Sequence, residues 1–265
     1  MDILPLNPPS FLKLLAHELR WNILALLVHS DYRVHEFASM LRTPMNVVSY
    51  HLRLLREAAI LTERRSAADG RDVYYHLDVE HLQTLYVDVG QTLLPLLMMP
   101  VSSSAKSVTT HAARSPIRIL FLCTHNSARS QLAEAITRHI GGSGVVVSSA
   151  GTEPAQVHPL ALAVLADKQI AADHLTSKHM DTFAGQTFDY VITVCDRARE
   201  ACPTFPNHPE LLHWSFPDPS AITSSPLEQR RAFDETAQQL MTRVRLLMTI
   251  IERNQRDQSR ERKDT

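Results

Sequence analysis

Three residue types with chemical potential recur in the second half of the chain. Cys123 begins the run Cys123-Thr124-His125-Asn126-Ser127-Ala128-Arg129-Ser130, which follows an apolar stretch IRILFL and precedes a helical pattern. A tight loop entering a helix N-terminus can converge several backbone N–H groups on one tetrahedral oxyanion. Arg129 adds a planar, bidentate cation. The same positive surroundings are expected to lower the pKa of Cys123 and make it a nucleophilic thiolate near neutral pH. Thr124, His125, Asn126, Ser127, Ala128 and Ser130 are the candidate anion-binding loop, with Cys123 and Arg129 as catalytic groups.

The other two cysteines, Cys195 and Cys202, stand seven residues apart in CDRAREAC. Cys195 ends an apolar run expected to be a strand. In parallel sheets the C-terminal ends of strands share one edge, so Cys195 is expected beside Cys123. Asp218-Pro219, in WSFPDPS, offers a carboxyl that can protonate a leaving oxygen or help activate the thiol.

The Cys-x5-Arg-Ser motif between strand and helix resembles the signature of low-molecular-weight protein tyrosine phosphatases, over roughly residues 117–253. Ser149-Ala-Gly-Thr-Glu-Pro154 resembles another segment of that family. The added thiol pair is similar to that of thioredoxin-coupled arsenate reductases. Ser220 and Ala221, where the phosphatases usually place tyrosines, lean the same way. The resemblance implies a relay. Cys123 attacks arsenate, Cys195 attacks Cys123 and releases arsenite, and Cys202 attacks Cys195, leaving a disulfide for thioredoxin as electron donor. It implies no bound cofactor. Asn126 and Glu134 resemble positions that bind potassium in some relatives, but Lys178 replaces an acidic partner, so its ammonium is expected to stand for the ion. The alternatives are a tyrosine phosphatase and a reductase-like half that only senses arsenic or redox state.

These residues need a scaffold. Strand and helix patterns alternate after residue 117: strands at 117–122, 145–149, 188–194 and 211–215, helices at 130–140, 159–168 and 226–253. Such alternation implies an α/β three-layer domain with a small four-stranded parallel sheet. Residues 254–265, charged or polar, are expected to fray. Before it, residues 99–116 carry five serines, two prolines and no acidic residue, and read as a linker.

Residues 1–98 read mainly as helix, at 11–28, 34–41, 46–59 and 79–98, with Ser10 a candidate N-cap. Between them, 61–77 reads as a hairpin turning at Asp69-Gly70. SYHLRLLRE and the arginine-bearing hairpin resemble the ArsR-type winged helix-turn-helix repressors. The resemblance implies a homodimer, formed through this domain's first and last helices, on double-stranded operator DNA. Asn46, Ser49, Tyr50 and Arg53 would face the groove, and Arg64, Arg65 and Arg71 on the wing would reach phosphates. Many relatives bind arsenite through cysteines here, but this half has none. His35, Glu36, His76 and His81 are scattered, and no metal is expected.

Composition fits this division. With 265 residues, 44% hydrophobic and 21% charged, two globular domains are the natural expectation. A formal net charge of −1 selects no partner, so any nucleic-acid surface must be local. No apolar run suits a membrane span, and the first ten residues lack a signal-peptide pattern. Three cysteines argue against a disulfide framework, and a cytoplasmic location is expected.

Overall fold

The structure, a computed structural model, describes residues 9–93 and 115–261. They form two compact units, 9–65 with 72–93, and 66–71 with 115–261. The expected linker falls almost wholly outside the described residues, as do residues 94–98 of the helix expected to end at 98.

The first unit runs α1 (Ser10–Leu15), α2 (Glu18–His29), β1 (Tyr32–Arg33), α3 (Val34–Met40), α4 (Met45–Glu57), β2 (Leu61–Arg65), β3 (Val73–Leu77) and α5 (Val79–Leu93). The helix expected over 11–28 is two helices. The break falls at Ala16 and His17, where His17 is extended and its ring accepts from the Leu19 N–H, opening α2. Ser10 is the first residue of α1 rather than its cap, which is Pro9. The antiparallel sheet has order β1-β3-β2, and β1 is an element that sequence reading missed. Phe37, Val48, Leu52 and Leu55 from α3 and α4 are fully buried with Ile23 and Leu27 of α2. The apolar residues of α4 recur every three to four positions, so one stripe is buried and the opposite face is exposed.

The second unit has a four-stranded, wholly parallel sheet in the order β5-β4-β6-β7. Its strands are β4 (Ile117–Cys123), β5 (Val145–Gly151), β6 (Tyr190–Thr193) and β7 (Glu210–His213). Leu120, Phe121 and Leu122 are buried, as a strand covered on both faces requires. The helices are α6 (Arg129–Gly141), α7 (Pro159–Asp167), α8 (Asp196–Glu200) and α9 (Pro226–Glu261). Phe233, Ala237, Leu240, Val244, Leu247 and Ile251 form the buried stripe of α9. The helix does not fray at 254 but continues to Glu261, past the core, with i,i+4 pairs Glu252–Arg256 and Arg253–Asp257 along it. Among the described residues no helix is long and apolar enough to cross a membrane.

Candidate active site

Cys123 is the last residue of β4, and the chain turns at once into a loop that enters α6 at Arg129. The loop is held by a second segment. Carbonyls of Thr124, His125 and Ser127 accept from the N–H groups of Glu153, Ala155 and His158. With those carbonyls committed to the second segment, Asn126 N–H donates to Cys123 Sγ at 3.1 Å. Ser130 Oγ lies 2.9 Å from the same sulfur.

Asn126 is the hub. It is fully buried and takes a left-handed φ of 44°, a conformation asparagine tolerates better than most residues. Its Nδ2 donates to Ser130 Oγ and Ser149 Oγ, and its Oδ1 accepts from Lys178 N–H. Ser149 passes the chain on to Glu134 Oε2 at 2.7 Å. Lys178 Nζ lies 3.6 Å from that oxygen, so an ammonium does stand beside the Glu134 carboxylate. Gly151 lets the backbones close: a Cβ there would lie 2.5 Å from Thr124 O and 2.8 Å from Asn126 N. Ser149 and Gly151, from the segment noted for its family resemblance, support the loop, as does Gln131, which donates to Asn126 O and Thr176 O and was not singled out from sequence.

Arg129 is buried and spans to the other side of the site. It donates to Phe216 O at 3.1 Å and pairs with Asp218 at 2.8 Å. Asp218 also accepts from the N–H and hydroxyl of Ser220. Burial alone would push the Asp218 carboxyl up, but Arg129 and the Ser220 donors outweigh it and hold it below the usual range. His125, half-buried at the rim, sits with its Nδ1 3.2 Å from Glu153 O.

The expectation of a low Cys123 pKa is not met. Burial is the largest influence and pushes the thiol up, and neighbouring Cys195 adds to this. Ser130 and Arg129 pull the other way without prevailing. The physical reason is that desolvation of a wholly buried sulfur exceeds the help of a guanidinium already committed to Asp218.

The parallel register brings Cys195 to the side of the Cys123 loop. β4 and β6 are neighbours, with Leu122 opposite Thr193, so Cys123 and Cys195 leave the same sheet edge. Thr124 Oγ1 lies 3.4 Å from Cys195 Sγ. Cys195 is buried and extended, and α8 begins immediately after it. Cys202 is partly exposed just beyond α8, its thiol pushed up by burial. All three cysteines are free thiols.

Residues 118–257 match the low molecular weight phosphotyrosine protein phosphatase family. The chain belongs to that family. Its relatives include an arsenate reductase of Oceanobacillus iheyensis, 33% identical over 128 residues, covering 48% of this chain and 92% of the relative. Another is arsenate reductase 2 of Staphylococcus saprophyticus, 38% identical over 122 residues, covering 46% of this chain and 92% of the relative. A solved structure of a thioredoxin-dependent arsenate reductase from Corynebacterium glutamicum is 31% identical, covering 51% of this chain and 65% of that one, with a TM-score of 0.38. Within this low-molecular-weight phosphatase domain the Cys123 loop enters α6 at Arg129, and Cys195 lies against Thr124 of that loop.

In the first unit, Asn46, Ser49, Tyr50 and Arg53 share the exposed face of α4. Ser49 Oγ donates to Met45 O, and the Arg53 guanidinium lies over the Tyr50 ring and pairs with Glu57. Arg64 and Arg65 end β2. Arg71, in the 66–71 turn that belongs to the second unit, pairs with Asp69 at 2.9 Å and holds that carboxyl down at about 2. Among the described residues no group of three or more His, Cys, Asp or Glu is placed to hold a metal.

Proposed function

We propose that this protein is an arsenate reductase that works by a three-thiol relay. One observation carries the reading: Cys195, a second thiol, is seated against Thr124 of the loop that cradles Cys123, with Cys202 one short helix away. A simple phosphatase needs neither additional thiol. The arsenate reductases among its relatives support the substrate.

Arsenate, a tetrahedral oxyanion, enters the loop amides, and Arg129 exchanges Asp218 for an arsenate oxygen. Cys123 Sγ attacks arsenic and one As–O bond breaks, its oxygen leaving as water with protons passed through Asp218. The Cys195 thiolate then attacks Cys123 Sγ. An S–S bond forms, the S–As electron pair stays on arsenic, and As(V) leaves as As(III) arsenite. The Cys202 thiolate attacks Cys195 Sγ, restoring the Cys123 thiolate. A reduced dithiol protein of the thioredoxin type returns the two electrons to the 195–202 disulfide. Arsenate-dependent oxidation of thioredoxin tests this. Wild type should turn over, Cys195→Ser should not, and Cys202→Ser should release about one arsenite per chain. Multiple turnover in either variant would overturn the relay.

The first unit is read as an ArsR-type winged helix-turn-helix that binds operator DNA as a homodimer. Support comes from α3 and α4 joined by a tight turn, the antiparallel hairpin after them, and the polar exposed face of α4. Exposed Trp21 on α2 and Tyr86 and Val87 on α5 favour self-association through these helices. Sedimentation should give a dimer, and a monomer at micromolar concentration would defeat that part.

A further inference from the structure

Immediately after Cys195 lies a buried acid that the relay does not use. The Asp196 side chain is 0% exposed and the His213 side chain 3% exposed. Asp196 Oδ1 accepts from Ser215 Oγ at 2.8 Å and lies 3.2 Å from His213 Nε2. His213 Nδ1 lies 2.8 Å from Thr193 Oγ1, on the strand that leads to Cys195. A His213 tautomer protonated on Nε2 satisfies both contacts, donating to the carboxylate while Nδ1 accepts from the threonine hydroxyl. A carboxylate removed from water needs such donors, so this cluster holds one geometry.

That geometry bears on Cys195. Asp196 is the first residue of α8, and Cys195 precedes it in an extended conformation. The carboxylate ties the start of α8 to His213 at the end of β7 and to Ser215 beyond it. Thr193, two residues before Cys195, is tied to the same histidine. The chain is thus held on both sides of Cys195, leaving its sulfur directed at Thr124 of the cradle. Attack on Cys123 requires the incoming thiolate to be aimed at a sulfur, so such anchoring acts on that step and not on oxyanion binding.

We infer that Asp196, His213 and Ser215 are positioning residues for the resolving thiol, fixing Cys195 for its attack on the Cys123–arsenic adduct. This rests on the arsenate-reductase reading. The test uses full-length protein in a Cys202→Ser background, where the relay stops after one arsenite. Single-turnover arsenite release reads the Cys195 attack, and protection of Cys123 from iodoacetamide by inorganic phosphate reads the cradle. Asp196→Ala should slow arsenite release tenfold or more while the protecting phosphate concentration stays within twofold, and Asp196→Asn should recover part of the rate. Ser215→Ala, which removes one donor, should slow release several-fold, and it decides the matter if Asp196→Ala does not fold. Unchanged release rates in a folded variant would overturn the inference, as would phosphate protection lost in proportion to rate. If the parent itself releases no arsenite, the reductase reading fails first and takes this inference with it.

Discussion

Cys123 illustrates how burial competes with charge at a single sulfur. Spacing alone places a cation and a helix N-terminus near the thiol, which argues for a depressed pKa. Its direction is set instead by complete desolvation, with Cys195 reinforcing it. The folded chain therefore holds this proton more tightly than the unfolded chain does. The associated stabilisation is present below the ordinary thiol value and is lost as pH rises through the folded pKa. Without an oxyanion, iodoacetamide should modify Cys123 more slowly than a free thiol at about pH 7.5, with the rate still rising at a pH where that of a free thiol has levelled off. Peptide mass spectrometry after timed quenching reads this, and modification already at its plateau by pH 7 would refute it. The Cys-x5-Arg spacing was legible in the sequence because it is local. Asn126, Glu134 and the Ser149–Gly151 segment were noted separately, but their joining into one hub was not legible, because it depends on β4 and β5 aligning Cys123 with Gly151. Gly151→Ala tests that closure. A methyl 2.5 Å from a backbone oxygen must push the loop aside, at roughly 1–3 kcal/mol or more. Phosphate protection of Cys123 should weaken at least tenfold, and a loop that binds phosphate normally would show the contact to be dispensable.

Among the elements, those with a long apolar period were the easiest to read. The stripe from Phe233 to Ile251 marks α9, and its residues are all buried in the second unit's core. What lay beyond the stripe was misjudged: charged residues after 253 were expected to fray, but Glu252–Arg256 and Arg253–Asp257 pairs run along a continuing helix. The short β1 was missed because two residues carry no period, and its existence depends on pairing with β3. The break between α1 and α2 turns on a histidine ring serving as a cap, a role usually filled by Ser, Thr, Asp or Asn. The α9 stripe gives a quantitative expectation. Leu240 is fully buried, so Leu240→Ala should cost about 2–5 kcal/mol through lost burial and the cavity left behind. Urea unfolding monitored by circular dichroism measures it, and a loss below about 1 kcal/mol would mean the core collapses around the gap.

At the scale of the whole chain, a formal net charge of −1 gives no general attraction to a polyanion. The DNA binding proposed for the first unit must then come from local cations, and these fall into two kinds. Arg53 lies on the exposed face of α4 beside Asn46 and Ser49, where a guanidinium can reach base edges in a groove. Arg65 ends an antiparallel strand and is the proposed phosphate contact. The two roles separate in salt. Each phosphate contact releases a counterion, so Arg65→Ala should weaken binding to all duplexes alike and reduce the log–log salt slope by about 1. Arg53→Ala should cost about 1–3 kcal/mol on the operator and much less on unrelated duplex, flattening the discrimination between them. Anisotropy titrations of both duplexes from 50 to 200 mM salt, on the order of the range where such slopes are steep, distinguish the two. If both substitutions shift only the slope, α4 does not read sequence. If neither changes binding to any duplex, the first unit is a protein-interaction module and the regulatory half of the proposal falls.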